Sequence, residues 1–212
     1  MDQTLKELII RSTEFDEAIS KILARVKTPP LPECRMSKAM AGISIEHADS
    51  IRMLAYSNNF TSAISLLRIQ FETTARTIWL LFAADKEYIK LHDSPLTAES
   101  DGYKDGPTIE KILKDLEAHP QVPKDAVFKL TEFKSESWRA LGSFVHGGKH
   151  PLKRKQDGYP LHLVLTLTKH SNALLVMVAM TMIVMSRDEK LSHEFWLLQN
   201  EFKDCLPPLV IR

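Results

Sequence analysis

Leucine, isoleucine, methionine and phenylalanine return every three or four positions through most of this chain. No stretch between turn signals keeps the apolar–polar alternation of a half-buried strand. That period predicts an all-α fold, a single helical bundle of long antiparallel helices spanning residues 1–212, with helices at about 2–26, 37–56, 60–92, 108–118, 124–145, 161–186 and 188–204. The first carries Leu5, Leu8, Ile9, Phe15, Ile19, Ile22 and Leu23 as its apolar stripe, and "TPPLPE" ends it because proline cannot continue the hydrogen-bond ladder. Residues 1–30 read as a peripheral helix, free to project or to swap between subunits. "SNN" separates the second and third helices, which pair as an antiparallel hairpin. Residues 93–107, rich in Pro, Gly, Asp and Ser, and residues 147–159, which open on Gly147 and Gly148, read as exposed loops.

Charge alters this picture little at the level of the whole chain. With 28 Lys and Arg against 27 Asp and Glu in 212 residues, nothing announces a polyanion partner, so any cationic site must be local. Cys34 and Cys205 stand far apart with no CxxC spacing, and "MDQTLKELIIRS" lacks the basic-then-apolar layout of a secretory signal, so a reducing cytoplasm is the expected home. The uncharged run at 173–185 falls short of the ~20 residues of a membrane span and predicts a helix buried in the core or in a subunit interface, not in a membrane. Its Met177, Met180, Met182 and Met185 suit either a core or an adaptable dimer surface.

Two clusters carry candidate chemistry. On the third helix, Phe60, Ile64, Leu67, Phe71, Ala75, Ile78 and Phe82 form the core face, and Arg68, Glu72 and Arg76 are the charged strip between apolar flanks. They form either a surface ladder worth about 0.3 kcal/mol per pair, or a groove in which Glu72 orients one guanidinium while the other meets a phosphate or carboxylate. The second cluster lies in "SWRALGSFVHGGKHPLKRK", residues 137–155. Arg139, Ser143 and His146, at i, i+4 and i+7, share one helix face. An imidazole that moves a proton and a guanidinium that steadies phosphoryl charge are the two groups that phosphodiester cleavage needs, and Ser143 could orient the imidazole or bind substrate. Lys149, Lys153 and Arg154, with His150 and Lys155, would draw in a polyanion. The alternative is that His146 caps a helix C-terminus and the lysines keep a loop solvated.

The Arg139-to-His146 spacing, late in an all-helical chain, is similar to the R-x(4 to 6)-H signature of the HEPN superfamily. "ISLLRIQFETTARTIWLL" together with "SFVHGG" also resembles a group of HEPN-like bacterial proteins that share an R...E...R..WL helix and an S..VHG element. This resemblance covers roughly residues 37–175. It implies a helical bundle, often a homodimer, and a metal-independent ribonuclease or RNA-binding protein in a toxin–antitoxin or phage-defence setting with a cognate partner protein. Within it Arg139 and His146 would be catalytic. Ribonuclease members usually place a polar residue directly after the arginine, where this chain has Ala140. A second function of a different class is a non-catalytic helical module that takes a small anionic ligand or a partner protein at Arg68, Glu72 and Arg76.

Other chemistry finds no support in the residues. His146 and His150 are separated by Gly147 and Gly148 and followed by Pro151, which spoils a metal-binding HxxxH helix. The chain contains no P-loop, GxGxxG or GxSxG motif, and neither a metal nor a cofactor is expected.

Overall fold

The computed structural model describes residues 2–95, 97 and 106–208. Among these the chain is all-helical and contains no strand. Nine α-helices run α1 Gln3–Leu23, α2 Pro32–Tyr56, α3 Phe60–Phe82, α4 Lys86–His92, α5 Ile109–Ala118, α6 Lys124–Val145, α7 Lys149–Asp157, α8 Leu161–Ser186 and α9 Glu189–Glu201, followed by a 3₁₀ turn at Lys203–Cys205.

The α2–α3 hairpin is the spine. Asn58, with φ +59°, makes the tight reversal between the two helices. Small polar side chains then fix their register: Ser37 donates to the Thr77 carbonyl at 2.7 Å, and Ser44 bonds to Thr74 at 2.9 Å. Pairing of 37 with 77 and 44 with 74 is the signature of antiparallel helices. Hydroxyls this small let backbones approach closely while leaving no buried polar group unpaired.

Against this spine α8 packs on both helices, and its Thr168, Ser171, Asn172 and Thr181 are buried. Gln70 of α3 and Ser171 of α8 exchange two bonds, Gln70 Nε2 donating to the Ser171 carbonyl at 2.9 Å and Ser171 Oγ donating to Gln70 Oε1 at 2.8 Å. Asn172 Nδ2 donates to Ser12 Oγ of α1 and to the Cys205 carbonyl. By length and composition α8 could cross a membrane, yet it lies among α1, α2 and α3 with half of its most apolar stretch buried. Its methionines line that interior: Met182 and Met185 pack with Cys34, Ala41 and Val178, while Met177 and Met180 are half-buried against neighbouring clusters.

Three sequence expectations change. The N-terminal helix expected to be peripheral is packed into the fold: α1 buries Leu5, Ile9, Phe15, Ile19 and Ile22, and Phe15 stacks on Phe202 at 4.8 Å. The expected helix at 60–92 is two helices. The Trp79 carbonyl accepts both the Ala83 and Ala84 amides, closing α3, and the Asp85 carboxylate caps α4 by accepting the Tyr88 amide at 2.7 Å. Of the expected loop at 147–159, residues 149–157 form α7. Pro151 sits in the first turn, where its missing N–H costs nothing, Lys153 pairs with Asp157 at 3.1 Å, and Gly158 at φ +88° ends the helix. Of the loop expected at 93–107, residues 96 and 98–105 lie outside the described residues.

Candidate functional site

α6 packs on α3 through a joint that involves one of the two residue clusters marked in the sequence. The Arg68 guanidinium lies 3.7 Å from the centroid of the Trp138 ring, and Arg68 Nε donates to Glu72 at 3.0 Å. Gly142, one turn beyond Trp138, leaves room for this stack: a Cβ there would come within 2.4 Å of Arg68 Nη1. Arg76 in turn donates to the Pro107 carbonyl at 3.0 Å. The guanidinium groups of the third-helix strip are therefore engaged inside the fold, and Arg68 and Glu72 form a joint between helices, not an open groove. Trp79 is buried and donates to Asp115 at 3.2 Å.

Ser143 has a comparable structural role. Its hydroxyl accepts the His150 amide at 3.1 Å, so a side chain from α6 caps the start of α7, which has no capping side chain of its own. Two glycines make this reversal possible. Gly147 has φ +64°, and a Cβ on Gly148 would lie 2.6 Å from Ser143 Oγ. At its far end α7 is held by Tyr159, which shares a hydrogen bond with Thr61 at the start of α3 and packs on Phe60. The short basic helix is thus fixed at both ends.

Of the candidate residues marked along α6, Arg139 and His146 are the exposed ones. Neither has an intramolecular partner among the described residues. They stand two turns apart on one face, ~10 Å along the axis, a span that an extended arginine and an imidazole can close onto one phosphate. His146 is the last residue before the reversal, and α7 begins three residues later, so the positive end of α7 lies close to it. Lys149 and Lys155 of α7 are exposed and Arg154 is half-buried, all without an acidic partner among the described residues; Lys153 is tied to Asp157. Ala140 is half-buried beside Arg139 and offers no polar group.

Several functional-looking groups were not marked in the sequence. Arg52, 5% exposed, bridges Asp16 of α1 at 2.9 Å and Asp49 on its own helix, and its Nη1 has no hydrogen-bond partner among the described residues. Burial pushes the Asp16 carboxyl above its ordinary range despite the arginine. His170 of α8 meets the Phe133 ring edge-on at 5.4 Å, and burial lowers its pKa. The Trp138–Gly142 pair, an aromatic four residues before an isolated helical glycine, was a legible signal of close approach by a partner side chain. No comparable local signal marks Arg52. Among the described residues no three His, Cys, Asp or Glu side chains are grouped so as to hold a metal ion.

Fold and site together define an all-helical protein whose exposed Arg–His face has no side-chain partner among the described residues and lies beside a short basic helix. The chain belongs to a family of unknown function, DUF6988, whose model matches residues 41–208, from the middle of α2 through the final 3₁₀ turn. No curated protein and no solved structure matches it.

Proposed function

We propose that this protein is an HEPN-like RNA-cleaving protein that works without a metal, with the exposed end of α6 as its reactive face. The observation that carries this reading comes by subtraction. Arg68, Glu72, Arg76 and Ser143 each have a partner within the fold, while Arg139 and His146 share a face and have none among the described residues.

In this reading the RNA 2′-hydroxyl attacks the adjacent phosphorus. The new P–O2′ bond forms as the P–O5′ bond breaks, leaving a 2′,3′-cyclic phosphate and a free 5′-hydroxyl. His146 handles the proton of the 2′-hydroxyl or of the leaving oxygen, and Arg139 balances the charge that builds on the phosphorane-like oxygens. The exposed cations of α7 hold neighbouring phosphates. A homodimer would set two such faces against each other, in the cytoplasm, within a toxin–antitoxin or phage-defence system that supplies a cognate partner protein.

The alternative, a non-catalytic module that binds an anion or a partner protein at Arg68, Glu72 and Arg76, has less to stand on because those side chains are engaged within the fold. Incubation of single-stranded RNA with the protein and EDTA separates the two. Cleavage to cyclic-phosphate ends, lost in both Arg139→Ala and His146→Ala, supports the proposal. Absence of cleavage, with anion affinity lost on Arg68→Ala or Arg76→Ala, supports the alternative.

A further inference from the structure

A cavity of about 370 Å³ opens between the end of α3, the short α4 and α5. Measured from Arg68, it lies roughly 16 Å further along α3, so it is separate from the α6 face. Trp79 and Tyr88 form its apolar side, their rings meeting edge to face at 4.9 Å, and Asp85, Lys111, Asp115 and His119 supply its polar rim.

The electrostatics of this cavity favour a cation. Two carboxylates face one ammonium, and that ammonium, Lys111, is already paired with Asp115. α3 ends here, with Ala83 in the wall, so the negative end of that helix faces the space, while α5 runs along it from Pro107 to His119. The N-terminus of α4 is capped by Asp85 Oδ1. The other oxygen of Asp85 has no partner among the described residues. His119 closes the rim next to Ala118.

We propose that this cavity binds a small organic ammonium ion. The charge lies against Asp85, and the carbon chain covers the aromatic wall that Trp79 and Tyr88 form, where an aromatic surface attracts a cation as well as apolar atoms.

Calorimetric titration of the full chain with butylammonium, 1-butanol and butyrate tests this, since the three probes share size and differ in charge. Butylammonium should saturate, and the other two should not. Asp85→Asn should weaken butylammonium about fivefold while keeping the α4 cap, because asparagine caps as well as aspartate. Lys111→Ala should tighten it by removing the competing charge. Equal binding of 1-butanol, preference for butyrate, weaker butylammonium binding in Lys111→Ala, or no saturation by butylammonium in protein of unchanged helical content would each overturn the proposal.

Discussion

At the scale of single residues, most of what draws the eye in this sequence is explained by packing. Arg68, Trp138 and Gly142 form one joint: a guanidinium on an indole, held by Glu72 and admitted by the missing Cβ of Gly142. Arg68→Ala should therefore destabilise the protein by about 1–2 kcal/mol, combining a stacked cation with a part-buried ion pair, and denaturant midpoints measure it. Gly147 occupies the left-handed region at φ +64° with open space around its would-be Cβ, so Gly147→Ala should cost about 1 kcal/mol through backbone strain alone. Gly147→Asn should cost less, because asparagine tolerates that conformation. The spacing of Arg68, Glu72 and Arg76 was readable as a ladder. That the ladder leans on Trp138 was not, because the contact joins residues seventy apart and only the tertiary fold brings them together.

Among elements, the instructive case is α7. Its sequence reads as a loop because Gly147, Gly148 and Pro151 are all helix breakers by propensity. The structure uses each where a breaker does no harm: the glycines in the reversal, the proline in the first turn. The cap that starts α7 comes from Ser143 on the preceding helix, so no capping residue stands at the usual position. Ser143→Ala should fray α7, speeding amide exchange at 152–157 and lowering stability by about 1 kcal/mol, while chemistry at His146 persists at a reduced level. A loss of cleavage as complete as that of His146→Ala, with α7 still protected, would give Ser143 a direct chemical role instead. The ends of α6 and α8 were legible, since proline precedes each first turn, His146 and the glycines close α6, and Arg187 in the left-handed region closes α8. The split between α3 and α4 was less so, because apolar periodicity runs on through the break and only Asp85 marks it.

For the molecule as a whole, the periodicity of 3.6 made the all-helical class plain, while the assembly order depended on long-range polar pairs such as Gln70 with Ser171 that no local pattern reveals. Stability should carry a histidine signature. Burial depresses the His170 pKa, with nearby Glu136 opposing, so below about pH 6.5 the unfolded chain takes up a proton that the folded chain resists. The His170 contribution is therefore fully present above about pH 6.5 and is lost as pH falls toward the depressed folded value. His170→Gln should lose less stability than the parent between pH 7.5 and pH 5. Asp16, whose carboxyl is raised by burial, works with the opposite sign, which is why the comparison must be between variant and parent at both pH values.

The proposed metal-independent cleavage of RNA rests on Arg139 and His146 of α6, which have no side-chain partner among the described residues. Its most direct test is the single-turnover rate on single-stranded RNA with EDTA, with product ends analysed, for the parent chain and for His146→Ala. Cyclic-phosphate ends are expected, with a rate about 100-fold lower in the variant at an unchanged melting temperature, the usual scale for loss of a proton-transfer group. Cleavage at the parental rate in folded His146→Ala, or no cleavage of RNA by the parent chain, would contradict it.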